Sequence, residues 1–313
     1  MARALTFPGQ GSQAVGMGKA VADAFGAARE VFAEVDEALS QNLSKLMWNG
    51  PEADLTLTEN AQPAIMAASL AVYRVLEREG SFQLGKHAAY VAGHSLGEYS
   101  ALAAAGAFTL ADTARLLKKR GQAMQKAVPV GTGAMAALIG ADRGDVDKLV
   151  EAAKQNDVLD VANDNAPGQI VISGAKAAVD RASAMAKEFN VRRAMPLAVS
   201  APFHCALMKP AADVMAEALE AVTIAPPAVP VIANVTAAPV SDAASIRKLL
   251  VEQVTGMVRW RETIASLPAL DVDTVVEIGA GKVLTGMVKR ITPDLNPLNV
   301  DTPADIEAFL KTL

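Results

Sequence analysis

Hydrophobic positions along the chain follow two alternating patterns, short apolar runs of strand length and longer stretches with apolar residues at helical spacing. Because strands and helices that alternate along a chain build mainly parallel sheets covered by helices, the pattern predicts an α/β fold. The clearest predicted strands are Ala4–Phe7, Ala88–Ala92, Val229–Val235 and Thr274–Ile278.

A different order interrupts this pattern between about residues 131 and 200. Strand, helix, strand, strand, helix and strand follow one another there, which is the β-α-β-β-α-β order of ferredoxin-like units. We predict that residues 129–198 form a small subdomain inserted into a large α/β subdomain, residues 1–128 and 199–313, with the functional site in the cleft between them. The six elements are predicted at 134–139, 145–155, 159–162, 170–173, 177–189 and 192–199.

Residues 93–97 read Gly-His-Ser-Leu-Gly and fit G-x-S-x-G, the motif of a serine held on a sharp turn between a strand and a helix. A predicted strand precedes the motif and a helix-forming stretch, residues 98–105, follows it. The two glycines leave the space that so tight a turn needs. We therefore predict Ser95 as a nucleophile and the N–H of Leu96, at the start of the helix, as a donor to an oxyanion.

A serine nucleophile needs a general base, and the chain has three histidines. His87 lies in a polar stretch that is predicted to be a surface loop. His94 is predicted to point away from Ser95, because adjacent side chains of a strand face opposite sides. His204 follows the predicted insertion and precedes a helical stretch, residues 211–221, which places it at the cleft. We therefore predict His204 as the base.

Arg120 is placed unusually for a charged residue. On the predicted helix 110–126 its neighbours at helical spacing are Leu117 and Met124, so it leans over the apolar face. The guanidinium could reach solvent or pair with a core carboxylate. It could equally be a clamp for a carboxylate of the substrate. The pattern of residues alone leaves these alternatives open.

Two glycine-rich segments raise the question of nucleotide binding. The loop at residues 8–13 formally begins a dinucleotide-binding pattern, but Gly16 and Gly18 interrupt the helix that should follow at once, which favours an oxyanion donor as the alternative. Residues 279–282, Gly-Ala-Gly-Lys, lack the other residues of a P-loop. We predict a turn between a strand and a helix there.

Composition narrows the class of protein. The chain has 313 residues, 51% of them hydrophobic, which is enough for a sizeable core. Its net charge of -5 argues against a general nucleic-acid binder, and no apolar run has the length of a membrane span. The single cysteine, Cys205, excludes an internal disulfide, and the first residues lack the apolar segment of a signal peptide. We expect a cytoplasmic protein without nucleic-acid or membrane partners.

Six segments together resemble the malonyl-CoA:acyl carrier protein transacylases, the acyltransferases that load malonyl units in bacterial fatty acid synthesis. They occur in the order of that family over essentially the full length of the chain. The resemblance implies a hydrolase-like parallel-sheet core with a ferredoxin-like insertion. The segments are FPGQGSQ (7–13), GHSLGEYSA (93–101), RGQAM (120–124), NDNAPGQIVISG (163–174), APFHCALM (201–208) and EIGAGKVLTG (277–286).

The resemblance also implies roles for individual residues. Ser95 would carry the acyl group with His204 as its base, and Arg120 would bind the malonyl carboxylate. The backbone amides of Gln10 and Leu96 would form the oxyanion hole.

Three further residues complete the implied site. The backbone carbonyl of Gln253 would orient the histidine in place of an acid. Met124 and Phe203 would contact the substrate, and Phe203 would crowd an α-branched acyl group. Ala280 stands where the family usually has proline, which affects the rigidity of that turn.

The function that the resemblance implies is ping-pong transfer. The malonyl group would pass from malonyl-CoA to Ser95 and then to the phosphopantetheine thiol of acyl carrier protein, without a metal or other cofactor, in a protein expected to be a monomer. The acidic carrier would meet a local positive patch despite the negative net charge. The residues of this predicted patch are Lys187, Arg192, Arg193, Lys282, Lys289 and Arg290.

Rival classes share the serine motif. An α/β-hydrolase esterase expects serine, acid and histidine in that order and an HGGG-type loop, which the sequence lacks. A patatin-like lipase needs a serine–aspartate dyad, usually within Asp-Gly, and the sequence contains no Asp-Gly pair. A non-catalytic, carrier-binding relative is a third alternative, which acylation of Ser95 would exclude.

Overall fold

The computed structural model describes residues 2–313, which form two β-sheets and the helices around them. The strands are β1 (Ala2–Phe7), β2 (Tyr90–Gly93), β3 (Gly133–Ile139), β4 (Leu159–Ala166), β5 (Gln169–Ala175), β6 (Arg193–Pro196), β7 (Val231–Ile232), β8 (Pro239–Val240), β9 (Val272–Ile278) and β10 (Asn296–Val300).

The α-helices are α1 (Lys19–Ala24), α2 (Gly26–Leu39), α3 (Leu43–Asn49), α4 (Glu52–Thr56), α5 (Thr58–Gly80), α6 (Leu84–His87), α7 (Gly97–Ala104), α8 (Leu110–Lys126), α9 (Arg143–Lys154), α10 (Lys176–Met185), α11 (Lys209–Glu220), α12 (Ala243–Thr255), α13 (Trp260–Ser266), α14 (Thr285–Ile291) and α15 (Pro303–Leu310). Short 3₁₀ helices lie at Ala186–Phe189, Ala206–Met208 and Leu267–Leu270.

The larger sheet has the strand order β10-β9-β1-β2-β7-β8, with parallel neighbours except for the antiparallel pair β7 and β8. Its central strands are apolar and buried, as expected where helices cover both faces. Phe7 pairs with Gly93 at the carboxyl ends of β1 and β2. The loops that follow these two strands are therefore neighbours, at the edge where α/β proteins place their sites.

The smaller sheet has the order β4-β5-β3-β6, and each pair of neighbours is antiparallel. With helices α9 and α10 between its strands, this is the ferredoxin-like arrangement. The predicted fold class, a parallel-sheet core with a small antiparallel insertion, is confirmed. The subdomain boundaries at residues 129 and 198 stay a prediction.

Alternation along β3 shows how the two sheets are joined. Ala136 and Leu138 belong to a separate core that the smaller sheet forms with α9 and α10. Met135, on the other face of the strand, packs into the main core of the larger sheet. One face of the smaller sheet therefore packs against α9 and α10, and the other face packs against the larger body.

Two local predictions need correction. His87 lies in helix α6 and not in a loop, because one turn of helix forms between Gln83 and Ala88. The apolar run predicted as strand 229–235 is reduced to the two residues of β7. The chain turns back directly after β7, where the N–H of Ala237 donates to the carbonyl of Ala233.

The length and hydropathy of the helices test whether one of them could cross a membrane. Across residues 2–313, no helix is both long enough and apolar enough to span a bilayer.

Candidate active site

Ser95 lies on a sharp turn between β2, which ends at Gly93, and α7, which begins at Gly97. Its φ of 54° is in the left-handed region, which residues other than glycine rarely adopt. A Cβ on Gly93 would lie 1.9 Å from the carbonyl oxygen of Gly97, and a Cβ on Gly97 would lie 2.2 Å from that of Phe7. The turn thus requires both glycines, as the motif predicts.

The hydroxyl of Ser95 lies 2.8 Å from Nε2 of His204. On its other side, His204 Nδ1 is 2.9 Å from the carbonyl oxygen of Gln253 and 3.1 Å from that of Gly256. Because carbonyl oxygens only accept hydrogen bonds, Nδ1 carries the proton and Nε2 presents its lone pair to Ser95. His204 is therefore held in the tautomer that a general base needs.

Burial controls the protonation state of His204. The side chain is 4% exposed, and burial, together with the nearby positive charge of Arg120, lowers its pKa to about 3. The imidazole is therefore neutral at pH 7 and able to accept a proton.

The guanidinium of Arg120 lies beside Ser95. Its Nη2 donates to Ser95 Oγ at 3.1 Å and to Gln253 Oε1 at 2.8 Å, and its Nη1 donates to Gln62 Oε1 at 2.8 Å. The residue is 1% exposed, so it does not reach solvent. Within residues 2–313, none of the ion pairs closer than 4.0 Å includes Arg120. Among the described residues, Arg120 therefore has no carboxylate in direct contact, and the buried carboxyl of Glu98 acts on it only through its longer-range charge.

Helix α8 is held close to α5 by a glycine next to Arg120. A Cβ on Gly121 would lie 2.5 Å from the Cα of Glu59 and 2.7 Å from the carbonyl oxygen of Thr58. This close approach brings Arg120 within reach of Gln62 on α5, so the packing of the two helices fixes the position of the cation.

A pocket of about 300 Å³ opens over Ser95. Both sheets contribute to it, because Met135, Asn163 and residues 197–199 line it from the smaller sheet and its flank. Gln253, by contrast, is fully buried behind Arg120. The other predicted site residues that line the pocket are Gln10, Leu96, Arg120, Met124, Phe203 and His204.

Gln10 and Leu96, the two predicted oxyanion donors, line this pocket and have free backbone amides. The backbone N–H groups of Gln10 and Leu96 donate no hydrogen bond to any atom of the described part of the chain. Gln10 is itself held in place by Thr58, whose hydroxyl donates to Gln10 Oε1 at 3.0 Å. Two unpaired N–H groups beside a nucleophile are what an oxyanion hole requires.

Several site residues were missed by the sequence reasoning. Asn234 accepts the N–H of Ser95, Gln62 accepts from Arg120, and Glu98 accepts from the side chain of Gln253. Burial raises the pKa of Glu98 to about 7. Glu98 lies within the GHSLGEYSA segment, which is a signal that could have found it, whereas nothing local marks Gln62 or Asn234.

His94 also lines the pocket, although strand alternation is not what separates its side chain from that of Ser95. Strand β2 ends at Gly93, so strand alternation no longer applies at the following residues. The base role does not pass to His94, since its Nε2 lies 2.8 Å from Asn165 Oδ1 and the Ser95 hydroxyl bonds to His204. Burial lowers the pKa of His94.

The remaining segments fit the non-nucleotide interpretations. After the loop at residues 8–13 the first helix begins only at Lys19, and residues 279–282 lie between β9 and α14 as a turn. Cys205 is a buried free thiol that donates to the carbonyl of Pro202. Residues 2–313 hold no group of three or more His, Cys, Asp or Glu side chains that could bind a metal ion.

The fold and the geometry together define a class. An α/β protein with a serine on a strained turn, a neutral histidine at its hydroxyl and two residues with free backbone amides in the same pocket has the parts of a serine-based acyl-transfer enzyme.

Comparison with known proteins identifies the family. Residues 5–301 match the family model described as "Acyl transferase domain". The chain is 46% identical over 307 residues to the malonyl CoA-acyl carrier protein transacylase of Salmonella typhimurium, covering 98% of each chain. It is 55% identical to the acyl-carrier-protein-S-malonyltransferase of Bartonella henselae, with a TM-score of 0.97 over 100% of this chain and 99% of that one.

A further solved structure contains a partner. It is a malonyl-transacylase in complex with a type II PKS acyl-carrier protein, 43% identical, with a TM-score of 0.96 over 100% of both chains. The chain belongs to the malonyl CoA-acyl carrier protein transacylase family, and the resemblance found in the sequence is confirmed.

Proposed function

We propose that the chain transfers a malonyl group from malonyl-CoA to the phosphopantetheine thiol of an acyl carrier protein, through a malonyl ester on Ser95. The observation that carries this proposal is Arg120, a buried cation beside Ser95 whose hydrogen-bond partners are all neutral. A buried charge without an ion-pair partner is costly. The free carboxylate of a malonyl thioester would supply that counter-ion.

Acylation would begin at the Ser95–His204 pair. Nε2 of His204 takes the proton from Ser95 Oγ while Oγ attacks the thioester carbonyl carbon. The resulting oxyanion accepts hydrogen bonds from the N–H groups of Gln10 and Leu96. When the intermediate collapses, the carbon–sulfur bond breaks, His204 returns the proton to sulfur, and CoA leaves as its thiol.

The second half would run the same steps in reverse. The carrier thiol gives its proton to His204 and attacks the malonyl ester, after which Ser95 Oγ leaves and takes the proton back. Since each half consumes one substrate and releases one product, the kinetics would be ping-pong. The Gln253 and Gly256 carbonyls would stabilise the imidazolium that forms in each half.

The wall of the pocket would select the acyl group. Phe203 precedes the base in the chain, is 8% exposed and lines the pocket. Met124 lies on the same helix as Arg120 and contacts the Gln62 side chain through its sulfur. We expect these two side chains to leave room for a malonyl group and to crowd a group branched at the α carbon.

The carrier would dock where the two sheets meet. Arg290 of α14 donates to Gln169 Oε1 and to the carbonyl of Pro167, in the turn between β4 and β5. The neighbouring Gly168 accepts the N–H of Gly140, and a Cβ on Gly140 would lie 2.8 Å from Cβ of Arg192. Arg192 and Arg290 therefore belong to one junction, which supports the predicted positive patch for an acidic carrier.

Four broader expectations belong to the same proposal. Residues 129–198 would act as the small subdomain, and the protein would be a cytoplasmic monomer without a nucleic-acid partner.

Steady-state kinetics test the proposal. We expect parallel double-reciprocal plots when malonyl-CoA is varied at several carrier concentrations, and no transfer by Ser95→Ala. Intersecting lines, or a Ser95→Ala variant that still transfers malonyl, would contradict a malonyl-Ser95 intermediate. Rapid release of free malonate without carrier would indicate a hydrolase instead.

A further inference from the structure

The backbone of Ser95 is held on both sides by buried side-chain amides. Its N–H donates to Asn234 Oδ1 at 2.8 Å, and its carbonyl accepts from Gln253 Nε2 at 3.0 Å. Asn234 Nδ2 also donates to the carbonyl of Gly93 at 2.7 Å. The left-handed backbone of Ser95 is unfavourable on its own, so these bonds contribute to keeping it in place.

Asn234 and Gln253 both donate to one oxygen of Glu98. Glu98 Oε2 accepts the backbone N–H of Asn234 at 3.1 Å and the side-chain Nε2 of Gln253 at 2.7 Å. Glu98 is 2% exposed and belongs to the first turn of α7, where its own N–H donates to the carbonyl of Ser95. The carboxyl group is thus fixed to the same turn that carries the nucleophile.

Gln253 extends this connection to the rest of the site. Its Oε1 accepts from Arg120 while its backbone carbonyl accepts from His204. An amide side chain has a donor end and an acceptor end, and Glu98 occupies the donor end as Arg120 occupies the acceptor end. Through Gln253 alone, one oxygen of Glu98 is therefore connected to the nucleophile, the base and the cation.

We infer that Glu98 is a positioning residue that fixes the relative geometry of Ser95, His204 and Arg120 by accepting hydrogen bonds from Asn234 and Gln253. The inference deepens the proposed function and rests on it for the roles of those three residues. Glu98 is not hydrogen-bonded to the Ser95 hydroxyl and forms no ion pair closer than 4.0 Å with Arg120, so its hydrogen bonds reach the site through Asn234 and Gln253.

The test compares two substitutions at Glu98. Glu98→Gln keeps an oxygen that can accept both bonds, whereas Glu98→Ala removes it and leaves the N–H of Asn234 without its acceptor. Glu277→Ala is a matched control, because Glu277 is also a buried carboxyl at a strand-to-helix turn, where it accepts from Leu284 and Thr285.

Two rates are measured for each variant, corrected for the folded fraction. One is labelling of Ser95 by a fluorophosphonate probe, which needs the Ser95–His204 pair but no malonyl group. The other is acylation by saturating malonyl-CoA. For Glu98→Ala we expect both rates to fall about 10- to 100-fold, the effect of a displaced reacting group, with little change in the apparent affinity for malonyl-CoA. Glu98→Gln and Glu277→Ala should stay close to the wild-type rates.

Three results would overturn the inference. They are wild-type labelling rates in Glu98→Ala, an equal loss in Glu98→Gln, and an equal loss in Glu277→Ala. If Glu98→Ala does not fold, Asn234→Ala removes the acceptor of the Ser95 N–H, and a wild-type labelling rate there would overturn the inference as well. If the probe labels the wild-type protein and malonyl-CoA does not, the proposed function fails while the role of Glu98 can still be decided.

Discussion

At the scale of single residues, the most unusual feature of the site is the environment of Arg120. The guanidinium is buried, and its hydrogen-bond partners are two glutamine side chains and a serine hydroxyl, all neutral. Burial lowers its pKa, so the surroundings already disfavour the charge. A substrate that brings its own carboxylate would relieve this cost, which is why we assign selection of the acyl group to this residue.

Replacing Arg120 by alanine should weaken the preference for malonyl-CoA over acetyl-CoA. A charge-assisted hydrogen bond contributes about 1.5 to 3 kcal/mol, so the ratio of kcat/KM values should fall about 10- to 150-fold. Steady-state kinetics with both thioesters measure the ratio. Lys119→Ala, an exposed change at the preceding residue of α8, is the control. Unchanged selectivity in Arg120→Ala would refute the clamp.

The pH dependence of acylation should reflect the low pKa of His204. Burial and Arg120 lower that pKa from 6.5 to about 3, so the base stays neutral as the pH falls through 6.5. We expect the kcat/KM for acylation by malonyl-CoA to stay unchanged as the pH falls through 6.5. In Arg120→Ala the loss of activity on acidification should begin at higher pH, because removal of the positive charge raises the pKa of His204. A wild-type loss centred at pH 6.5 or above, or the opposite displacement in the variant, would contradict this account.

Residues with a local signature could be predicted from the sequence. Ser95 has its motif, His204 was reached by elimination among three histidines, and Arg120 interrupts an apolar helix face. Asn234 and Gln62 have no such signature, because they reach their partners across 139 and 58 residues of sequence. Their roles depend on tertiary contacts, and the presence of a common polar residue in the sequence does not indicate such contacts.

At the scale of elements, the turn between β2 and α7 determines where Ser95, the proposed nucleophile, lies. The carbonyl oxygens of Phe7 and Gly97 come so close to the flanking glycines that a single methyl group has no space. The turn also includes the N–H of Leu96 at the start of α7, so in the proposed mechanism one element would supply both the hydroxyl and a donor for the oxyanion.

Gly93→Ala should therefore impair the site. The new Cβ would lie 1.9 Å from the Gly97 oxygen, so the turn must shift, and overpacking of this kind costs about 1 to 3 kcal/mol or more. Thermal unfolding and the acylation rate per folded enzyme should both decline. Gly286→Ala is the control, since no atom lies within 4 Å of its added Cβ and the position is helical. Wild-type stability and rate in Gly93→Ala would show that the turn is not constrained in this way.

Element prediction succeeded where burial and pairing coincide and failed where they do not. The strands of the smaller sheet were found because apolar alternation there follows real pairing partners. The run at 229–235 is equally apolar, yet only β7 is paired before the chain turns back. The hydrophobicity of a segment indicates that it is buried, but it does not indicate whether its backbone pairs with a neighbouring strand.

At the scale of the whole molecule, the pocket exists only because the two sheets meet. The larger sheet supplies the turn with Ser95, while Met135 and Asn163 come from the smaller one. A salt bridge joins the two parts, since the buried carboxylate of Asp164 on β4 accepts hydrogen bonds from the Nε and Nη2 of Arg261 on α13, whose side chain is 37% exposed. The segment before α13 also pairs with β4, through the N–H of Asp164 and the carbonyl of Val258.

Charge reversal at the junction should affect the KM values of the two substrates differently. Arg192→Glu combined with Arg290→Glu should raise the KM for acyl carrier protein and leave the KM for malonyl-CoA unchanged, because rim charges steer a partner without touching the chemistry. Lys86→Glu is the control, an exposed change before β2 and hence at the opposite edge of the sheet from Ser95. An equal effect on both KM values would argue against docking at this patch.

The central claim, that Ser95 carries the malonyl group between two thiols, is tested most directly by the intact mass of the protein after brief exposure to malonyl-CoA. We predict a gain of one malonyl group that is absent in Ser95→Ala, is much smaller with acetyl-CoA, and disappears when acyl carrier protein is added. No adduct, with free malonate and CoA accumulating, would contradict the account and identify a thioesterase.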